Sequence, residues 1–264
     1  MLSINLSTKL IIALLVPFIG TSLGSAMVFL LRKQVKEKLL KLLLGFASGV
    51  MIAASVWSLL LPAMNSYENG DFRKWFVPAL GFIIGIIFLF LLDILVPHMH
   101  VNKKEEGLND KKISSTLKML LAIIIHNIPE GLAVGLVIAS AINGQGTTEQ
   151  AALILAIGIA IQNFPEGAIV SMPLKETGVT KLKAFWYGVL SGIVEPLAAL
   201  LALLITSQIS IILPYALSFA AGAMIYVVAD ELIPQANEGN KSSLATIGVS
   251  IGFVLMMILD VTLG

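Results

Sequence analysis

IIIHNIPEGLAVGL (123–136) sets a histidine, an asparagine, a proline and a glutamate into the middle of an apolar run. IAIQNFPEGAIVSM (159–172) repeats the arrangement with glutamine in the place of histidine. The two runs, about 117–142 and 150–173, each approach the roughly 20 residues a helix needs to cross a bilayer. Outward from this pair lie six more stretches of similar length, about 10–31, 42–64, 76–97, 184–206, 212–235 and 244–263. Composition points the same way: 57% hydrophobic, 12% charged and a mean hydropathy of +0.94, outside the range of ordinary soluble domains. The expected fold class is therefore all-α, a polytopic membrane protein with eight transmembrane helices in a single domain over 1–264. No polar segment is long enough to make a soluble domain. The longest, HMHVNKKEEGLNDKKISST (98–116), reads as a mobile cytoplasmic loop.

Charge placement orients the spans, because cytoplasmic loops are the ones rich in Lys and Arg. The segments after spans 1, 3, 5 and 7 hold Arg32, Lys33, Lys36, Lys38 and Lys41; Lys103, Lys104, Lys111, Lys112 and Lys118; Lys175, Lys181 and Lys183; and Lys241. That is 14 of 17, with only Lys9, Arg73 and Lys74 on the other side. Eight spans with both termini extracellular satisfy the rule throughout, and the cell membrane is the expected location. A signal peptide over the first stretch is rejected, since RKQVKEK follows its apolar core where a leader would carry positive charge ahead of it. Gly20, Ser22, Gly24 and Ser25 in that span read as a close helix-packing face. A net charge of +1 gives no footprint for nucleic acid. The absence of cysteine excludes disulfide frameworks, zinc ribbons and thiolate clusters.

FASGVMI (46–52) in span 2 recurs as FAAGAMI (219–225) in span 7, each followed by an apolar run and a proline, Pro62 and Pro234. Spans 2 and 7 run in opposite directions under this topology, so the similarity implies an inverted repeat. Spans 1–3 then relate to 6–8, and spans 4 and 5 to each other. Transporter sites tend to lie at the interface of such repeats near the bilayer midplane, on helices interrupted by Pro or Gly.

In HNIPEG, His126 and Glu130 are spaced i, i+4 and Asn127 and Glu130 i, i+3, so three polar groups share one stripe. Pro129 cannot donate a hydrogen bond, which frees the carbonyl of Ile125 and predicts a kink. Gln162, Asn163, Pro165 and Glu166 repeat the pattern on span 5, freeing the carbonyl of Ile161. Glu195, beside Pro196 in SGIVEPLAAL, is a third carboxylate near the middle of a span. Carboxylates at such depth cost at least a few kcal/mol each and must face the bundle interior, with protons, donors or a cation for company. The oxygen-rich set His126, Asn127, Glu130, Gln162, Asn163, Glu166 and Glu195 suits a hard or borderline divalent ion. A structural role in which buried carboxylates merely lock helices together is the alternative.

Other polar residues are pathway candidates or plain anchors. Asp93, Asp230 and Glu231 fall near the cytoplasmic ends of spans 3 and 7, and Asp260 near the outer end of span 8, where side chains can also snorkel to the interface. Met51 and Met224 match in the span 2/7 repeat and could offer thioethers, though core packing is the commoner use. His98 and His100 could collect metal in the loop or simply be solvated.

With both hexapeptides on successive spans and SGIVEPLA on the sixth, the chain resembles the ZIP family of divalent metal transporters, in its GufA-like branch, over its whole length. That resemblance implies a 3+2+3 helix arrangement, a homodimer, and movement of spans 1, 4, 5 and 6 against spans 2, 3, 7 and 8. It also implies a binuclear centre bridged by Glu130 and Glu166, with His126 and Gln162 in one subsite and Asn127, Asn163 and Glu195 in the other. Many relatives carry His where Gln162 stands and some carry Asp at Asn163, so this chain departs toward a weaker zinc cage.

The expected function is transport of a divalent transition-metal ion toward the cytoplasm. Zinc is the foremost cargo, with cadmium, iron or manganese as others, bound as transported ligand and not as a catalyst. An intramembrane metalloprotease would need HExxH or an equivalent second histidine. Only His126 lies within a span, so no enzyme is expected.

Overall fold

Hydrocarbon offers no water to backbone N–H and C=O groups, so each apolar run must close its hydrogen bonds within itself as a helix. The computed structural model describes residues 6–30, 36–96, 98–99, 105–106, 115–145, 147–176, 178–208, 210–239 and 242–264. Among them are eight helices long and apolar enough to cross a membrane. These are α1 (Thr8–Leu30), α2 (Glu37–Asn65), α3 (Arg73–Leu95), α4 (Ser115–Ile142), α5 (Glu149–Glu176), α6 (Lys181–Gly192, continued as Val194–Gln208), α7 (Leu213–Ala236) and α8 (Leu244–Leu263). All eight expected spans are present. Within the segment expected as a plain loop, β1 (His98–Met99) pairs antiparallel with β2 (Glu105–Glu106).

The closest seams are α1 with α5, α4 with the second half of α6, α2 with α8, and α3 with α7. Relating α1 to α6, α2 to α7, α3 to α8 and α4 to α5 carries the first seam onto the second and the third onto the fourth. The packing therefore has the two-fold relation that the FASGVMI/FAAGAMI pair implies, as three helices, two and three.

Lipid tails are as apolar as leucine, so helices in a bilayer associate through close backbone contact at small residues. Gly20 and Gly24 of α1 lie against the carbonyls of Ala160 and Phe164 on α5 so tightly that a Cβ would overlap them. Gly131 and Gly135 of α4 meet Glu195 and Ala199 of α6 in the same way. These two seams hold the backbone around the HNIPEG and QNFPEG motifs in register.

Proline shapes the other elements. Over Ser55–Leu60 of α2 and Val228–Leu232 of α7 the helix widens to the π form. Each widened stretch runs into a proline, Pro62 or Pro234, whose nitrogen cannot bond the carbonyl four residues back. In α6 the ladder breaks at Ile193, because Pro196 has no N–H for the carbonyl of Gly192. α4 and α5 by contrast run on as helix through Pro129 and Pro165.

Between the motifs and the α4–α5 connection, apolar side chains fill the bundle. Leu10 and Ala13 of α1, Val134 and Val137 of α4, Leu155 and Ile159 of α5 and Leu203 of α6 are all buried in one cluster. Met51 and Met224 are fully buried in that same cluster, which accounts for both as packing residues.

Candidate metal centre

Of the polar groups in HNIPEG, His126 and Glu130 lie side by side on α4, while Asn127 turns to Glu195 and Ser191. His126 Nε2 lies 3.8 Å from Glu130 Oε1 on the same helix and 3.5 Å from Glu166 Oε2 on α5. Ligand atoms of His126, Glu130 and Glu166 all lie within 4.8 Å of one another, close enough to share one ion. Glu130 is completely buried, whereas the Glu166 side chain keeps 12% of its exposure, so the cluster opens on the Glu166 side.

Each neighbour fixes an orientation. Gln162 Nε2 donates to Glu130 Oε1; a carboxylate only accepts, so the amide nitrogen must point there and Gln162 Oε1 is left facing inward. His126 Nδ1 lies 3.2 Å from Glu231 Oε2 on α7. The carboxylate accepts, so Nδ1 donates, and the lone pair of the neutral ring falls on Nε2, facing Glu130 and Glu166. A carboxylate behind a histidine in this way sets tautomer and ring plane and raises ligand basicity. The π turn of α7 carries Glu231.

Glu195 sits apart from that triad. Its Oε1 accepts from Thr21 Oγ1 at 2.6 Å and from Asn127 Nδ2 at 3.2 Å, and the same Nδ2 donates to the carbonyl of Ser191 at 3.1 Å. Thr21 comes from α1, so three helices converge on this carboxylate.

Several buried polar atoms in this region have no hydrogen-bond partner: His126 Nε2, Glu130 Oε2, Gln162 Oε1, Asn163 Nδ2 and Oδ1, Glu166 Oε1 and Glu195 Oε2. An unsatisfied buried polar group costs about 1–3 kcal/mol. All of these but Asn163 Nδ2, a donor, can offer a lone pair to a cation. A cleft reaches this patch, lined by Leu44, Ile123, His126, Glu166, Ile169, Val170, Glu231, Leu232 and Gln235. These residues lie toward the start of α2 and α4 and the end of α5 and α7, on the side of the Lys-rich segments.

Of the remaining candidates, Glu231 joins the site. Asp93 accepts from Tyr226 Oη at 3.3 Å, and Asp230 is exposed on α7. Asp260 accepts from Ser58 Oγ at 2.8 Å, with its Oδ2 unpartnered. His98 contributes to β1 through its backbone, and His100 lies outside the described residues. Sequence reasoning missed Thr21 and the Ser191 carbonyl. The signal for Thr21 was the run GTSLGS (20–25), where a hydroxyl among packing residues faces whatever the seam encloses.

The family described as ZIP Zinc transporter matches residues 7–119 and 98–260 of this chain. The "Zinc transporter ZIP11" of Xenopus tropicalis is 39% identical, the alignment covering 92% of this chain and 94% of that protein. The protein of the same name from Homo sapiens is 36% identical with the same coverage. The "Zinc transporter GufA" of Myxococcus xanthus is 36% identical over 93% of this chain and 96% of its own length.

Proposed function

The chain belongs to the ZIP zinc transporter family, and from that premise we propose that it carries divalent transition-metal ions, zinc foremost, through a site on α4, α5 and α6. The observation that carries this reading is the convergence of unpartnered buried ligand atoms around His126, Glu130 and Glu166.

Two carboxylates bring two negative charges, which one divalent cation balances. His126 Nε2 and Gln162 Oε1 add neutral ligands, giving a nitrogen- and oxygen-donor set that zinc accepts at four-coordination. Cadmium, iron and manganese could use the same donors, with the Irving–Williams order favouring zinc over iron and manganese. Amide oxygen is a weaker ligand than thiolate or imidazole. Moderate affinity fits a site that must release what it binds.

The open cleft beside Glu166 and Glu231, with the apolar plug of Val134, Val137, Leu155 and Ile159 beyond the cluster, supports an inward-facing state. The ion enters from outside when that plug parts, exchanges water for carboxylates, and leaves along the cleft to the cytoplasm. Lys and Arg placement supports termini on the side away from the cytoplasm, and the plasma membrane is the proposed setting. The chain works as a homodimer, for which α3 and α8, the least buried spans, supply the surface; cross-linking in native membranes yielding only monomer would count against this.

The test is uptake of radioactive zinc by proteoliposomes. Glu130→Ala should lower the initial rate at least as much as losing a supporting residue does, about tenfold. Equal uptake by the two proteins would overturn the assignment.

A further inference from the structure

Resting on the transport-site reading above, we infer that Lys41 is a positioning residue: with Glu37 it clamps the cytoplasmic end of α7 against α2 and so keeps Glu231 behind His126.

Lys41 does not sit as an interfacial anchor would. A lysine that snorkels buries its stem and leaves its ammonium in water, whereas only 5% of the Lys41 side chain is exposed. An ammonium taken out of water is costly unless a partner meets it. Glu37, one turn earlier on α2, lies 3.1 Å from Lys41 Nζ, and its own side chain is 62% exposed. The pair therefore has one wet end and one dry end. It abuts the turn that follows α7: a Cβ on Gly239 would come within 3.2 Å of Glu37 Oε1 and 3.9 Å of Lys41 Nζ. Gly239 has a φ of +78°, so glycine supplies both the left-handed turn and the room for the pair. A positive charge also suits the C-terminal end of a helix, here the last turn of α7, Ile233–Ala236, which packs on α2.

What this contact holds is the least regular part of α7. The helix takes the π form over Val228–Leu232, and Pro234 returns no N–H to the ladder. An unbroken run of hydrogen bonds does not keep this end in line. Glu231 belongs to that stretch and lies 3.2 Å from His126 Nδ1. The facing part of α2 is fixed, because Gly45 and Gly49 meet Ala245 and Val249 of α8 too closely for a Cβ. Leu44, on the same face of α2 as Lys41, lines the cleft together with Glu231, Leu232 and Gln235 of α7. The clamp thus ties a soft segment to a fixed one, and α2 and α7 form one wall of the cleft.

The experiment is a Zn²⁺ titration of the detergent-purified full-length protein, with His98→Ala and His100→Ala in every sample to keep the loop imidazoles out of the signal. Lys41→Met keeps the apolar stem and removes the ammonium. It should lower affinity about tenfold, as losing a supporting partner of a metal-bound histidine does, and Lys41→Arg, which keeps the charge, should recover most of that loss. The decisive comparison is with Glu231→Gln: if Lys41 works through Glu231, adding Lys41→Met to Glu231→Gln should lower affinity no further. A folded Lys41→Met with the parent's affinity would overturn the inference. So would the same tenfold loss in both backgrounds, which marks a general loosening of the fold. If Lys41→Met does not elute as a folded species, Glu37→Gln decides by the same comparison. A parent that binds no Zn²⁺ would instead sink the transport-site reading, and the inference with it.

Discussion

An imidazole buried in a bilayer has two nitrogens to account for, and in His126 they face different worlds. Nδ1 is held by Glu231, 3.2 Å away on α7, while Nε2 faces Glu130 and Glu166 without a hydrogen-bond partner. Replacing Glu231 by Gln keeps the shape but removes the charged acceptor, so zinc affinity should fall about 10- to 100-fold, the cost of losing a second-shell partner of a metal-bound histidine; titration of purified protein checks it, and unchanged affinity would show that the His126 contact is incidental. His126, Glu130 and Glu166 were legible because their spacing is a property of one helix or of two copies of one motif. Glu231 was only half legible. Its place beside His126 depends on the π turn before Pro234, which moves a side chain around the helix axis by an amount hydropathy does not encode. Thr21 was hidden for a different reason: its partner is 174 residues away, and GTSLGS marks a face of hydroxyls without choosing Thr21 over Ser22 or Ser25.

At the scale of the element, proline and glycine decide where the helical ladder is interrupted and where backbones come close. The helix limits followed from the length of each apolar run, and the expected spans match the observed ones within a few residues. The π turns of α2 and α7 were not foreseen, although both prolines were singled out. A missing N–H permits a kink, a break or a widened turn, and only the surrounding packing chooses among them, as the break in α6 and the unbroken α4 and α5 demonstrate. The glycine seams are more predictable in their consequences. Gly24 lies against the Phe164 carbonyl, one residue from Asn163 and two from Glu166. Gly24→Leu should therefore destabilise the folded protein by about 1–3 kcal/mol, as overpacking does in other cores, and should depress zinc uptake beyond what the loss of folded protein explains. A thermal melt of the detergent-solubilised variant that overlays the parent would refute the close seam.

At the scale of the whole molecule, the two-fold relation between α1–α3 and α6–α8 puts the motif helices between two similar units, and the bundle is plugged on one side and open on the other. The chain contains no cysteine, so single-cysteine variants report accessibility directly. Ile169→Cys, lining the cleft, should react with a membrane-impermeant maleimide applied to the cytoplasmic face, while Val134→Cys, in the plug, should stay protected. Equal labelling of both would contradict a plug that seals one half of the bundle. One cluster in the middle of the bundle is proposed to bind the transported metal, and anomalous diffraction at the zinc edge from zinc-loaded crystals tests it. A peak is expected about 2.0–2.2 Å from His126 Nε2 and from oxygens of Glu130 and Glu166. Ordered zinc found only elsewhere in the protein, with no density between those three side chains, would contradict it.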